Sequence, residues 1–256
     1  MFNYTAPKNL LKNRIILVTG SSDGIGRAAA KTFAAHGATV ILHGRDQKKL
    51  EEVYDEIVAD GGAEPAIFVL DFKTATYDDF MVLKSSIEEE FGRLDGLLHN
   101  ASILGRISPI SNTITDDWHN VMQVNINAAF MLTKVLLPLM DHASDASIVF
   151  TSSGVGRKGR ANWGAYAVSK FATEGLVQVL ADELENISNI RVNCINPGAT
   201  HTQMRRTAYP AELPHKNPEP EDIMPLYLYL IGPDSKGVNG QSLDAQGDDT
   251  AETSTL

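Results

Sequence analysis

The run Arg14-Ile15-Ile16-Leu17-Val18-Thr19 passes without a break into Gly20-Ser21-Ser22-Asp23-Gly24-Ile25-Gly26. A strand this poor in polar residues is buried on both faces, as in a parallel sheet covered by helices. Beyond the glycines, Ile25, Ala28, Ala29, Phe33 and Ala34 recur at helical spacing until Gly37. A buried strand, a glycine turn and a helix in that order define a βα unit. Units of this kind must connect with one hand, so few topologies remain.

The alternation continues to the end of the chain. The pattern predicts further strands at residues 39–43, 66–70, 94–99, 147–151 and 190–195, and a short one at 241–244. Helices are expected at 47–59, 77–91, 116–140, 164–184 and 221–231. Asp46 is placed to cap the second helix and Gly61-Gly62 to stop it. Pro138 is expected to bend or end the long fourth helix. The fold class is α/β, a doubly wound three-layer sandwich with helices on both faces of a parallel sheet. No Ser/Pro-rich linker divides residues 1–256, which read as a single domain. Residues 199–220 form a proline-rich loop, and 248–256 a polar, acidic tail.

Charge and cysteine usage narrow the function. A formal net charge of -10 disfavours non-specific attraction to nucleic acid or an anionic membrane. The apolar runs are too short to span a bilayer, and Met1–Lys8 has no signal-peptide core. A soluble cytoplasmic protein is expected. Cys194, the single cysteine, lies in the apolar run 190–195 and reads as a buried thiol. No Cys/His cluster has metal-ligand spacing, so no metal is expected.

The glycine turn is suited to a dinucleotide. Gly20, Gly24 and Gly26 allow a tight turn and close approach of a pyrophosphate, which the following helix N-terminus attracts. Ser22, Asp23 and Ile25 belong to the same turn, Ser22 with a hydroxyl to offer and Asp23 with an opposing negative charge. Asp71 ends the third strand, where its carboxylate can meet an adenine amine or cap the next segment. Asn100-Ala101 ends the fourth, where the Asn100 amide can brace neighbouring strands and the cofactor wall. An acidic residue after the second strand would select NAD. This chain has Gly44-Arg45, which removes a repelling charge and offers a guanidinium to a 2'-phosphate. NADP(H) is therefore expected over NAD(H).

Tyr166 and Lys170 are four residues apart, on one face of a helix. A phenol titrates near ~10, and a neighbouring ammonium is expected to lower that value. Tyr166 can then exchange a proton with a substrate oxygen while hydride moves at the adjacent carbon. Lys170 can also hold the nicotinamide ribose. Ser153 follows the fifth strand and can orient a carbonyl oxygen. Asn125, polar in an apolar stretch, reads either as a relay that passes protons from Lys170 through a water or as a buried structural amide.

Taken together these residues resemble the short-chain dehydrogenase/reductase family over about residues 13–247. Thr19–Gly26 is similar to its Thr-Gly-x-x-x-Gly-x-Gly motif, and Asn100-Ala101 to part of its Asn-Asn-Ala-Gly motif, with His99 and Ser102 departing from it. Asn125, Ser153, Tyr166 and Lys170 resemble the family's catalytic tetrad. Pro197-Gly198 and Thr202 resemble the segment that passes the nicotinamide, with Thr202 bonding its carboxamide. The stretches 14–27, 156–170 and 223–230 resemble the YciK-type bacterial oxidoreductases, which lend no defined substrate. The resemblance implies a Rossmann-type fold with a seven-stranded sheet and a homodimer or homotetramer built through the long helices after strands four and five.

The expected reaction interconverts a carbonyl and an alcohol with NADP(H). Trp163 can wall the substrate pocket, and the 199–220 loop can cover it. Arg157, Lys158 and Arg160, with Arg205 and Arg206, raise the expectation of an anionic substrate group. Two rivals remain: reduction of an activated C=C, and an NADP(H)-binding sensor or scaffold with little turnover.

Overall fold

The structure is a computed structural model, and it describes residues 1–213 and 216–247. Seven strands, β1 (Ile15–Thr19), β2 (Thr39–Gly44), β3 (Ala66–Val69), β4 (Gly96–His99), β5 (Ala146–Thr151), β6 (Ile190–Asn196) and β7 (Ser242–Asp244), form one sheet. Its order is β3-β2-β1-β4-β5-β6-β7, and every neighbouring pair is parallel. The helices are α1 (Gly24–Ala35), α2 (Gln47–Ala59), α3 (Tyr77–Phe91), α4 (Thr115–Met122), α5 (Ala128–Met140), α6 (Gly164–Leu184), α7 (Gln203–Ala208) and α8 (Met224–Ile231). This is the doubly wound α/β fold expected from the alternation, with the Rossmann-type seven-stranded sheet that the family resemblance implies.

Successive strand residues point to opposite faces. Ile16 and Val18 of β1 pack with Val40, Leu42 and Leu98 against α1, α2 and α8. Leu17 packs on the other face with Ile41, Leu97 and Ile148 against α3, α5 and α6. Two cores, one on each side, explain why these strands read as continuous apolar runs. The chain winds outward from β1 in both directions, and the switch between β1 and β4 opens a crevice at the carboxyl ends of the strands.

Local signals fix the helix starts. The Asp46 carboxylate accepts from the Lys49 N–H and caps α2 as expected. Thr76 and Asp79 form a reciprocal capping box on α3, which stops at Gly92 in a left-handed conformation. Three expectations need correction. The long helix begins at Thr115, and residues Gln123–Asn127 make a π-helical segment between α4 and α5. Pro138 lies inside α5 two residues before its end at Met140, in line with the expected helix end. The 199–220 loop contains a helix, α7, whose N-cap is Thr202. The expected 221–231 helix opens with a 3-10 turn, Pro220–Ile223, before α8.

The continuous helix Thr115–Met140, 26 residues long, is long and apolar enough to cross a membrane by length and composition alone, contrary to the sequence expectation. Half of its most apolar window is buried, and it packs on the sheet with α3 and α6, the place of a core helix. Residues 248–256, read as a polar tail, lie outside the described residues, as do 214 and 215 of the 199–220 loop.

Candidate active site

A cleft of about 550 Å³ opens along the carboxyl ends of the strands. It is lined by residues that directly follow six strands: Gly20, Arg45, Leu70, Asn100, Ser152 and Pro197. Cofactor-type and catalytic-type residues from the two halves of the chain thus meet in one space.

Backbone contact builds the nucleotide side. A Cβ on Gly26 would lie 2.1 Å from the Gly20 carbonyl oxygen and 2.5 Å from Asn100 Nδ2. Gly20 itself has a φ of 67°, and its Cβ would lie 2.9 Å from Ala101 Cα. The turn therefore closes on the loop after β4 only with glycine at both positions. Asn100 holds that closure: its Nδ2 donates to the Thr19 and Gly20 carbonyls, and its Oδ1 accepts from the Thr151 hydroxyl. Thr19 Oγ1 accepts from the Asn100 and Ala101 N–H groups. The expected brace across β1, β4 and β5 is present.

Asp23 caps α1 by accepting from Gly24 N at 2.7 Å. Its charge therefore sits at the helix N-terminus, where it competes with an incoming phosphate. Ser22, Gly24 and Ile25 line the cleft beside it. Gly44 is buried, and a Cβ there would come within 3.5 Å of the Ser22 hydroxyl. Arg45 is exposed at the same end of the cleft. Lys49, one turn along α2, lines it too and was not singled out from sequence, although its spacing from Arg45 carried the signal. Asp71 lines the cleft while its Oδ1 accepts from Lys73 N, so the turn role holds for one carboxylate oxygen. Pro197, Gly198 and Thr202 line the opposite wall. Thr202 Oγ1 accepts from Arg205 N as the cap of α7. Gln246, missed in the sequence, donates to the Pro197 and Ala199 carbonyls and fixes this wall.

The end of β5 and the face of α6 build the other half. Tyr166, with 8% of its surface accessible, has the Ser153 hydroxyl as a hydrogen-bond partner. Lys170 Nζ donates to the Thr151 carbonyl at 2.8 Å and lies 5.5 Å from the Tyr166 ring centroid. The expected lowering of the phenol by Lys170 is opposed by burial. Burial pushes Tyr166 up to about 12, with the Ser153 hydrogen bond acting downward. Burial also pushes Lys170 down to about 8, while Cys194 and Glu174 act upward. The ammonium is directed at a backbone carbonyl rather than at the phenol.

Asn125 sits in the π segment and is buried. Its Oδ1 accepts from Ile103 N, and its Nδ2 donates to the Ile103 carbonyl and the Ser169 hydroxyl. The side chain is engaged as a buried brace, the structural-amide alternative of the two expected readings.

The expected basic patch is also corrected. Arg157 is held by both Asp244 oxygens and by Ser242, and lies 3.7 Å from Glu174. Arg160 donates to the Tyr209 hydroxyl. Arg205 makes two 2.6 Å bonds to Glu212, with its guanidinium carbon 3.8 Å from the Tyr209 ring centroid. That pairing holds the Glu212 carboxyl down at about 2. Arg206 is directed to Gln203 and His201. Lys158 is exposed and, like Arg157 and Arg160, does not line the cleft. Ile103, Leu104, Trp163, Met204 and Ala208 give the cleft apolar lining, alongside Arg205. Trp163 packs between Tyr166 and Tyr209, with ring centroids 5.7 and 5.9 Å away.

Comparisons with known proteins agree with this architecture. The chain is 54% identical over 244 residues to the uncharacterized oxidoreductase YciK of Escherichia coli K12, covering 95% of this chain and 96% of that one. A structure described as a short chain dehydrogenase from Pseudomonas syringae superposes with a TM-score of 0.95 at 60% identity, covering 96% of this chain and all of that one. Another, from Escherichia coli CFT073 in complex with NADPH, gives 0.92 at 55% identity over 94% of this chain and all of that one. The profile of the short chain dehydrogenase family matches residues 14–213, and the chain belongs to that family of oxidoreductases.

Proposed function

We propose that this protein interconverts a ketone or aldehyde and the corresponding alcohol, using NADP(H). The observation that carries this reading is the meeting of the Ser153–Tyr166–Lys170 cluster and the Gly20–Gly26 turn in one cleft. The residues present fit the cofactor: a glycine cradle that a Cβ would fill, a helix N-terminus, and Arg45 at the cleft's edge. Relatives of about 55% identity solved with NADP and NADPH support the same choice. In this reading Gly20–Gly26 and Ala101 hold the pyrophosphate and its ribose, Asp71 meets the adenine, and Pro197, Gly198 and Thr202 face the nicotinamide. Gly44, Arg45, Ser22 and Lys49 take the 2'-phosphate, favouring NADP(H) over NAD(H). When bound, the nicotinamide supplies or takes the hydride.

The protein's own residues handle the proton and the oxygen. Ser153 donates a hydrogen bond to the substrate oxygen and steadies charge as it develops. Tyr166, whose burial favours the protonated phenol, gives its proton to that oxygen in the reducing direction. Lys170 balances the phenolate left behind and holds the nicotinamide ribose. Asn125 fixes the 100–104 loop against α6. Because the arginines near the mouth are paired within the protein, the substrate body in this reading is uncharged and apolar, packed against Trp163 and Met204. Self-association through α5 and α6 belongs to the same reading, since Phe130, Val168, Phe171 and Val179 stand exposed there.

The test is titration of NADPH and NADH, followed by a panel of neutral ketones and their carboxylated analogues. The expected outcome is much tighter NADPH binding, turnover of neutral ketones, and loss of at least a thousandfold in kcat for Tyr166→Phe with NADPH binding retained. Tight NADPH binding without turnover across the panel transfers the reading to a sensor. Preference for the carboxylated analogues overturns the apolar substrate.

A further inference from the structure

Three consecutive residues at the end of β5 each grip a different turn of α6. The Ser153 hydroxyl partners Tyr166. The Thr151 carbonyl accepts from Lys170 Nζ. Between them, the Ser152 hydroxyl donates to Glu174 Oε1. Tyr166, Lys170 and Glu174 follow at i, i+4 and i+8, so one helix face is fastened to one strand end at three successive turns. The grip is close because Gly156, in the turn after Ser153, has no Cβ; one there would lie 2.9 Å from Lys170 Cβ.

Glu174 is unusual in this row. It is a carboxyl with 8% of its surface accessible, on a helix face otherwise packed with Thr173, Val177 and Ala181. Among the described residues, its hydrogen-bond and ion-pair partners are donors or cations. Ser152 donates to Oε1, the Cys194 thiol donates to Oε2 at 3.1 Å, and Arg157 Nε stands 3.7 Å away. Arg157 is itself held by Asp244 on β7. A carboxylate whose partners donate accepts charge-assisted hydrogen bonds from them. An anion one helical turn from a buried ammonium, in a region from which water is excluded, acts on it strongly.

We propose that Glu174 is a positioning residue for Lys170 and Tyr166: its buried charge keeps Lys170 protonated, and its bonds to Ser152 and Cys194 hold α6 in register with β5. This inference rests on the reading of Tyr166 and Lys170 given above. The charged and titratable groups around the pair are Arg157 from the turn after β5, Cys194 from β6, Asp244 from β7, Tyr227 from α8 and Tyr166 on α6 itself. Burial pulls the Lys170 ammonium down, and Cys194 and Glu174 oppose that pull. Without the anion, burial acts with less opposition and Lys170 loses its proton at lower pH.

The titration of Lys170 can be followed without any substrate, from its 13Cε shift in 13C-lysine-labelled protein, assigned with Lys170→Arg. In Glu174→Gln the midpoint is expected to fall by about one pH unit, roughly a tenfold loss of proton affinity. Glu174→Asp, which keeps the charge, should remain within threefold of the native protein. Arg157→Gln, which leaves Glu174 with one cation fewer, should move the midpoint the other way. The alkaline limb of NADPH-dependent ketone reduction should follow the same order. An unmoved Lys170 midpoint in folded Glu174→Gln overturns the inference. Should that variant not fold, a midpoint that fails to rise in Arg157→Gln overturns it equally. Absence of turnover in the native protein counts against the proposed function alone, because the Lys170 titration needs none.

Discussion

Gly26 shows how one hydrogen atom in place of a side chain supports both the fold and the cleft. Its Cα faces the Gly20 carbonyl so closely that a methyl group would overlap the oxygen at 2.1 Å and displace Asn100 Nδ2. Asn100 in turn ties β1 to β4 and reaches Thr151, whose carbonyl holds Lys170. Gly26→Ala therefore cannot be accommodated by rotating a side chain, since a backbone oxygen is the obstacle. The expected result is a loss of about 1–3 kcal/mol of stability from overpacking. NADPH binding should weaken at least tenfold as the turn is pushed outward. Gly159→Ala is the matching control. Gly159 has open space around the Cβ position, and substitution there should stay within about 0.5 kcal/mol. Thermal melts and fluorescence titration with NADPH read both variants. Equal behaviour of the two would show that the turn yields more easily than its geometry implies.

At the scale of elements, the π segment Gln123–Asn127 places Asn125 between the loop after β4 and α6. Removing its amide in Asn125→Ala leaves the Ile103 N–H and carbonyl without their partner and releases the Ser169 hydroxyl. One buried group left unsatisfied costs about 1–3 kcal/mol, so urea unfolding should show at least that loss. NADPH affinity should fall with it, because Ser102, Ile103 and Leu104 line the cleft. A change under about 0.5 kcal/mol, the range of ordinary surface substitutions, would remove the bracing role. The same elements show what was legible in the sequence. Helices α2, α3 and α6 match their expected ranges at both ends, and for α2 and α3 the Asp46 cap, the Thr76–Asp79 box and Gly92 are local signals. The π segment was not legible, because its purpose lies in contacts with Ile103 and Ser169, 22 and 44 residues away. Helix α7 was hidden because six residues are too few for periodicity. The site divides the same way. Residues at strand ends were legible because position alone puts them in the cleft. The fates of Arg157 and Arg160 were not, because Asp244 and Tyr209 come from distant turns of the chain.

Across the molecule, the sheet carries two buried histidines, one of which, His43, also lines the cleft. His43 on β2 stacks on Phe72 with centroids 4.3 Å apart, and His99 on β4 stacks on Phe150 at 4.4 Å. His99 Nε2 also meets the Thr133 hydroxyl of α5. Both rings are almost wholly buried, and burial pushes His43 down to about 4 and His99 down to about 3, with His43 adding a further downward push on His99. In the unfolded chain each histidine titrates near ~6.5. Between that value and the folded values, the unfolded state binds more protons than the native state. Stability is therefore full above about pH 6.5 and falls as pH drops toward 4 and 3, by up to about 1.4 kcal/mol per pH unit for each histidine. The interval from pH 6.5 to 5 lies above the range in which carboxylates with lowered values, such as Glu212, take up protons. Urea unfolding at pH 7.5, 6.5, 5.5 and 5.0 should thus show a slope approaching two protons. His99→Phe, which keeps the aromatic stack on Phe150, should flatten it by about one proton, and the double variant with His43→Phe should remove most of it. A native protein with constant stability over that interval would mean that the rings take up protons without opening the core. Acid sensitivity of this kind would come from the sheet that carries the cleft, so NADPH binding should be lost with the fold and not before it.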